Sequence, residues 1–341
     1  MAIMKAVGLH RYLSIDNSES LLDLQIEKPR ASGRDLLVSV KAVGVNPVDY
    51  KVRSPKEKLE ETPKILGWDV AGIVEETGPG CKLFKPGDEV YYAGDYTRQG
   101  GNSEFHLVDE RIVGKKPKSL SFGEAAALPL TTITAYEALF DRLNISLNPN
   151  EKNNKTILII GAAGGVGSIA IQLAKWAGLK VIGTASRPES IAWSKKLGAD
   201  HTINHFEEFV PQLKQLGLEA VHYILCLNTT DKHWVNITDA IAPQGKICSI
   251  VETNEPLNLS LLMYKSATFV WEVMFTRSMF QTEDMIEQHK LLNKVAGLVD
   301  SNIIKTTLTE HLSPINAENL RKAHRLLETG KSIGKTVVER F

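Results

Sequence analysis

Cysteine is scarce: Cys81, Cys226 and Cys248 are the only three in 341 residues. Thiols this far apart make neither a disulfide framework nor a CxxC zinc pair, and reduced thiols fit a cytoplasmic protein. Net charge is also missing, with 40 basic and 40 acidic residues. That balance removes the electrostatic reason to expect a nucleic-acid or anionic-membrane partner. No apolar run of about 18 residues occurs, so no membrane span is expected. The opening MAIMKAVGLHRYL lacks a long apolar core and a small-residue cleavage pattern, so no secretory signal is read there. No internal repeat or low-complexity tract stands out. Present instead is a hydrophobic content of 43%, enough for the two domains that the length suggests.

The first 125 or so residues read mostly as strand. LLVSVKAVGV, VAGIVEETG and DEVYYAG are short runs broken by Gly, Pro and Asp, and KPGDEVYY is a turn feeding a strand of β-formers. A β-rich domain with an irregular barrel fits. Near residue 123 the rhythm changes: Ser121 with Glu124 three residues later predicts a helix start. Pro129 interrupts that run, and a second helical stretch begins near Thr131 or Thr132. NISLNPNEKNN, residues 144–154, reads as an exposed linker. From Lys155 strand and helix alternate for more than 100 residues, which implies a doubly wound parallel sheet. After about Gln281 the chain reads as mostly helical and ends in a strand-like run. AENLRKAHRLLETGK carries Leu320, Ala323 and Leu327 on one face of a surface helix.

The strongest chemical signal is IIGAAGGVGS. Gly161, Gly164 and Gly167 recur every third residue, with Gly165 and Val166 between. The loop leaves an apolar strand, KTILIIG, and enters a helix. Residues without Cβ allow the tight turn and let a diphosphate reach backbone N–H groups at the helix start. The second strand selects the cofactor. It ends GTASRPES, with no acid between Thr184 and Pro188 to bind a ribose 2′-OH. Ser186 and Arg187 there suit a 2′-phosphate, which favours NADPH over NADH. Leu227, Asn228 and Thr229 end the fourth strand and Val251 and Thr253 the fifth, at the sheet edge where dinucleotides lie in this class of fold. ATFVWEVMF, a sixth strand, carries Phe269, Trp271, Val273 and Phe275 at alternate positions.

GVNPVDYKVR, residues 44–53, packs Asn46, Asp49, Tyr50, Lys51 and Arg53 around Pro47. Two readings stand: a solvated turn with an internal Asp49–Arg53 ion pair, or a segment lining a site.

Together these residues resemble the medium-chain dehydrogenase/reductase superfamily over essentially the whole chain. NPVDYKVR, LGWDVAGIVEETG, FKPGDEVY and LPLTTITAYEAL resemble its quinone oxidoreductase branch and that branch's zinc-type alcohol dehydrogenase-like relatives. The resemblance implies a β-rich chaperonin-10-like (GroES-like) catalytic domain in residues 1–125 and 276–341. It implies a Rossmann dinucleotide-binding domain in 126–275 and a cleft between the two. Zinc-dependent relatives begin their catalytic site with Cys where this chain has Asn46. They continue with Gly-His-Glu where this chain has Gly67-Trp68-Asp69, and AGDYTRQGGNSEF lacks the four cysteines of a structural zinc lobe. Asn and Trp are poor zinc ligands, so no metal is expected.

Without a Lewis acid, reduction of a quinone or an activated C=C is the chemistry that remains favourable, because the resulting anion needs only donors and a proton. The resemblance further assigns Lys51 to the nicotinamide ribose. Asn46 becomes a donor near the nicotinamide or substrate oxygen, and Tyr50 a pocket wall. Thr131, Thr134 and Ala135 approach the nicotinamide, and His205 packs near the adenosine. Tyr92 and the region from Met263 to Phe275 are expected to shape the pocket. The expected function is zinc-independent, NADPH-dependent hydride transfer to quinones, enones or alkenals, by a homodimer paired through the last Rossmann strand. The alternative is an NADPH-binding redox sensor or partner-binding module with little catalysis.

Overall fold

The computed structural model describes residues 2–147 and 154–341. Of the expected linker, residues 148–153 lie outside the described residues. The chain forms two compact units: one runs to Ile133 and resumes at Phe275–Phe341, the other is Thr134–Met274.

In chain order the first unit holds β1 (Ile3–Tyr12), β2 (Leu22–Glu27), β3 (Asp35–Val45), α1 (Pro47–Arg53), β4 (Lys56–Ile65), β5 (Val70–Thr77), β6 (Glu89–Tyr92), β7 (Phe105–Asp109), β8 (Val113–Lys115) and α2 (Phe122–Ala126). Helix α3 (Pro129–Tyr136) straddles the division, and a π-type segment (Glu137–Arg142) follows it. The second unit continues with β9 (Thr156–Ile160), α4 (Gly165–Trp176), β10 (Lys180–Thr184), α5 (Pro188–Lys196), β11 (His201–Ile203), α6 (Phe209–Gln215), β12 (Val221–Cys226), α7 (Thr230–Ala240), β13 (Ile241–Ser249) and β14 (Thr268–Trp271). The first unit then resumes with α8 (Thr276–Met279), α9 (Glu287–Asp300), β15 (Leu308–Leu312), α10 (Ala317–Glu328) and β16 (Lys335–Glu339).

The second unit is a six-stranded sheet in the order β11-β10-β9-β12-β13-β14, and every neighbouring pair is parallel. Strand order reverses between β9 and β12, which makes the carboxyl ends of those two strands the switch point where such sheets bind ligands. Central β9 is TILII, buried at every position, as a strand covered on both faces must be. Leu158, Ile160, Ile224, Phe209, Trp234 and Ile247 belong to one buried cluster. Fully burying an aliphatic side chain of this kind contributes roughly 1.5–3 kcal/mol.

The first unit has a three-stranded sheet, β2-β1-β4, and a seven-stranded sheet in the order β15-β16-β3-β5-β6-β8, with β7 also paired to β3. Two of its strands carry no apolar alternation. β4 is KEKLEETPKI, mostly exposed and rich in charge, as suits an edge strand, and β15 is LTEHL. Neither is foreseen from sequence. In the segment 44–53, Gly44 and Val45 end β3 and Pro47–Arg53 form a helix, α1, rather than a solvated turn. Pro47 takes its first position and Asp49, two residues on, bonds back to the Asn46 N–H at 2.7 Å. That pattern is a helix-start signature. The expected Ser121–Glu124 capping box is present on α2, with Glu124 N–H donating to Ser121 Oγ at 3.2 Å.

The ATFVWEVMF stripe is not one strand. β14 ends at Trp271, Trp271 and Val273 are 44% and 51% exposed, and Phe275 is buried in the first unit. Cys226 and Cys248 are buried core thiols, whereas Cys81 is half-buried. Among the described residues no helix is long and apolar enough to cross a membrane.

Candidate functional site

The glycine loop joins β9 to α4. Gly161 has φ +84°, a backbone state that side chains with Cβ rarely adopt. Its N–H donates to the Thr184 hydroxyl at 3.0 Å, so Thr184 pins the turn from the neighbouring strand. Gly164 caps α4. At Gly167 an added Cβ would sit 2.5 Å from the carbonyl oxygens of Gly161 and Ala162; only glycine lets helix and loop close this far. The N–H groups of Gly165, Val166 and Gly167 open the helix, where no helical carbonyl can accept them, and the helix dipole favours an anion there. Leu227 and Asn228 flank the turn, 3.5 and 3.6 Å from a Cβ placed on Gly161. The ends of β12 and β13 are tied by Thr230, whose hydroxyl meets Ser249 Oγ at 2.5 Å and donates to Val251 O at 3.1 Å. Thr230 and Ser249 were missed from sequence, although both sit one or two residues from the strand ends that were read.

Ser186, Arg187 and His205 come together at the carboxyl ends of β10 and β11, which pair in register through Thr184 and Ile203. Both Ser186 and Arg187 are half-buried. Arg187 starts α5 and exchanges bonds with Ser190, its N–H donating to Ser190 Oγ at 3.2 Å. Burial and then the Arg187 charge hold the His205 imidazole below its ordinary range. The cation and the ring are thus electrostatic neighbours. No carboxylate lies between Thr184 and Pro188, and Glu189 follows in the first turn of α5. Thr134 is buried in the same unit.

The first unit carries Asn46, Asp49, Tyr50 and Lys51 at and along α1 and Thr131 in α3, and Asn46 and Asp49 join a buried polar network. Asp49 Oδ1 accepts from Gly67 N–H at 3.0 Å. Asn46 Nδ2 donates to Asp69 Oδ2 at 3.0 Å, and Asp69 Oδ1 accepts the Leu130 N–H at 3.0 Å, in the first turn of α3. At the centre is Lys335, from β16. Its ammonium donates to Val45 O at 3.0 Å, Asn46 Oδ1 at 2.5 Å and Asp69 Oδ2 at 2.9 Å. Burial pushes the Asp49 carboxyl up to about 7, against the N–H bonds from Asn46 and Gly67 and the Lys335 charge. Burial likewise raises Asp69, opposed chiefly by Lys335.

The Asn46 amide is 1% exposed and engaged at both ends, by Asp69 and Lys335, at the start of α1. The Asp49–Arg53 ion pair does not form. Arg53, 2% exposed, reaches instead to Leu13 O, Glu328 and His324 Nδ1. Tyr50 is half-buried and Lys51 exposed on the same helix, and burial, then the Glu328 charge, raises the Tyr50 phenol. Thr131 is 2% exposed, its hydroxyl donating to Leu128 O at 3.0 Å. Tyr92 does not shape a pocket, because it is fully buried with its hydroxyl 3.0 Å from His106 Nδ1. Tyr96 packs against two other aromatics of the first unit. It lies 6.4 Å from Trp68 and 5.2 Å from Phe275 between ring centres.

Comparison with known proteins agrees with this architecture. Residues 32–129 match the family described as alcohol dehydrogenase GroES-like domain, and residues 165–290 the family described as zinc-binding dehydrogenase. A zinc-type alcohol dehydrogenase-like protein of Staphylococcus aureus is 44% identical over 98% of this chain and 99% of its own length. A 2-methylene-furan-3-one reductase of Solanum lycopersicum is 31% identical over 98% of this chain and 79% of its own. Among solved structures, a Rhizobium etli protein provisionally described as a zinc-dependent alcohol dehydrogenase superposes with a TM-score of 0.95 at 51% identity, covering 100% of this chain and 99% of that one. The Escherichia coli quinone oxidoreductase complexed with NADPH gives 0.80 at 25% identity, over 98% and 100%.

Several of these names carry zinc, and the donor set here does not fit it. Among the described residues no group of three or more His, Cys, Asp or Glu side chains could hold a metal. Asn46 and Asp69 enclose an ammonium instead, and the Trp68 indole between them in sequence donates to Asp95 O at 3.2 Å. Thiolate and imidazole, the ligands zinc prefers, are absent from this cluster.

Proposed function

Because the chain belongs to the medium-chain dehydrogenase/reductase superfamily, with its GroES-like and Rossmann-type domains, we propose that this oxidoreductase is an NADPH-dependent reductase of quinones, enones or alkenals working without zinc. The observation that carries the reading is the loop from Gly161 to Gly167, which turns at positive φ and closes onto α4 so tightly that only glycine fits. In this reading Gly161, Gly164, Gly165, Val166 and Gly167 receive the diphosphate. Ser186 and Arg187 take the 2′-phosphate, and His205 lies along the adenosine. Leu227, Asn228 and Val251 line the strand ends, and Thr131 and Thr134 serve the nicotinamide end.

When bound, the nicotinamide supplies the hydride. The chain's own part is to orient and to stabilise charge. Lys51 holds the nicotinamide ribose, and Tyr50 walls the acceptor. An electron-poor carbon accepting hydride leaves charge on oxygen, which donors and a proton satisfy. The named reductase relative and the NADPH-bound quinone oxidoreductase support the acceptor class and the cofactor.

We also assign a homodimer, paired through β14. That strand is the outer edge of the parallel sheet, and Trp271, Val273, Leu261 and Met263 around it are 44–62% exposed. An open apolar edge of this kind calls for a partner.

The test is initial-rate oxidation of NADPH and of NADH, with and without a chelator, against a quinone, an enone, an alkenal and a plain aldehyde. Chelator-insensitive turnover of quinone or enone with NADPH preferred is expected. Tight NADPH binding without turnover across the panel would replace the reductase by a redox sensor.

A further inference from the structure

Lys335 lies at the centre of the first unit's buried network, 289 residues along the chain from Asn46, and no sequence motif marks it. Its side chain is 3% exposed. An ammonium carries three N–H donors and no acceptor, and here three oxygens receive them: Val45 O, Asn46 Oδ1 and Asp69 Oδ2. The same charge is the main influence drawing the buried Asp69 carboxyl back toward its ionised form, and it adds to the Asn46 N–H bond in doing so for Asp49. The oxygens belong to segments that the proposed reaction depends on. Val45 ends β3, and Asn46 begins α1, the helix of Tyr50 and Lys51. Asp69 reaches on to Leu130 N–H beside Thr131. β16 delivers the lysine there because it pairs antiparallel to β3, with Thr336 opposite Val45.

We infer that Lys335 is a positioning residue: a cation built into the chain that stands among the acceptor oxygens of Asn46 and Asp69, where zinc-named relatives lead one to look for a metal, and that fixes the first turns of α1 and α3. Its consequence for turnover rests on the reductase reading above; its grip on α1 does not. A tethered ammonium gives these oxygens the positive charge they need while offering no open coordination position. The site therefore orients α1 and cannot polarise an acceptor as a Lewis acid would.

The experiment compares full-length wild type with Lys335→Met, whose unbranched side chain is one heavy atom shorter and carries no charge. Hydrogen exchange of the α1 amides is expected to quicken about tenfold or more, with the β9–α4 region unchanged. The kcat with a quinone or enone is expected to fall about tenfold or more, while the NADPH dissociation constant stays within about threefold. A lysine that only added bulk to the core would leave both α1 exchange and kcat near wild type, and that result overturns the inference.

If Lys335→Met does not fold, the double variant Lys335→Met/Asp69→Asn removes the buried charge imbalance and takes its place. Full turnover in that folded double variant would show that the ammonium is not needed, whereas turnover still about tenfold down upholds it. Wild type that binds NADPH yet reduces nothing on the panel would sink the reductase reading alone. The exchange of α1 would still decide the role of Lys335.

Discussion

Replacing Gly167 with alanine puts one methyl group where the structure has no room. Its Cβ would lie 2.5 Å from two carbonyl oxygens and 2.7 Å from the Ala162 carbonyl carbon. Ordinary contact begins near 3.4 Å, so α4 and the loop must part by about 0.9 Å, a backbone shift of the kind that overpacking forces at ~1–3 kcal/mol. Backbone oxygens have no rotamer through which to yield. The displaced groups are the ones assigned to the diphosphate, so NADPH affinity is expected to fall about 10- to 100-fold, or ~1.4–2.8 kcal/mol. Fluorescence titration with NADPH measures it. Gly297 is the control. It sits inside α9 with nothing within 4 Å of its added Cβ, so Gly297→Ala should stabilise by ~0.5–1 kcal/mol and leave NADPH binding unchanged. Wild-type affinity in folded Gly167→Ala would refute the assignment of this loop to the cofactor.

Arg187→Ala is expected to weaken NADPH binding about tenfold or more, with little change for NADH, because only the former carries the 2′-phosphate; an equal loss for both would make Arg187 merely the start of α5. Glu272 is fully buried, bonded to Arg142 at 2.7 Å, and burial together with the charge of the adjoining Glu137 raises its carboxyl. A carboxyl raised in the folded state contributes stability that is complete below the usual glutamic-acid range and is lost as pH climbs above it toward the folded value. The thermal midpoint should therefore decline over that interval, and Glu272→Gln should flatten the decline; an unchanged slope would refute it. Val273→Asp places a charge beside the β14 edge; if the proposed β14 dimer forms, sedimentation should show wild type as a dimer and the variant as a monomer, and a monomeric wild type would overturn that assignment.

What could be read in the sequence was local. Gly161, Gly164 and Gly167 declare themselves because a tight turn between an apolar strand and a helix needs residues without Cβ, and Ser121 with Glu124 declares a helix start. β9 was legible because burial on both faces leaves TILII no polar position. The same local logic was present but unread in Asn46-Pro47-Val48-Asp49, where an extended residue, a proline and an acid that bonds back open α1. β4 and β15 could not be seen by alternation, since a mostly exposed strand imposes none. Least legible was the partner of each buried charge. Arg53 meets Glu328 and Asp69 meets Lys335 across more than 260 residues of chain. Such pairings are decided by strand order, which no window of sequence contains.

The first unit is discontinuous, and that has a consequence for how the protein is made. Thr134–Met274 is one unbroken segment and can complete its sheet as soon as it leaves the ribosome. The part of the first unit that precedes it cannot complete its sheet, because β16 pairs with β3 and is translated only after that segment. Until then Asp49 and Asp69 have no ammonium to sit against. The unit that is translated first is therefore sealed last, and its keystone is a single lysine.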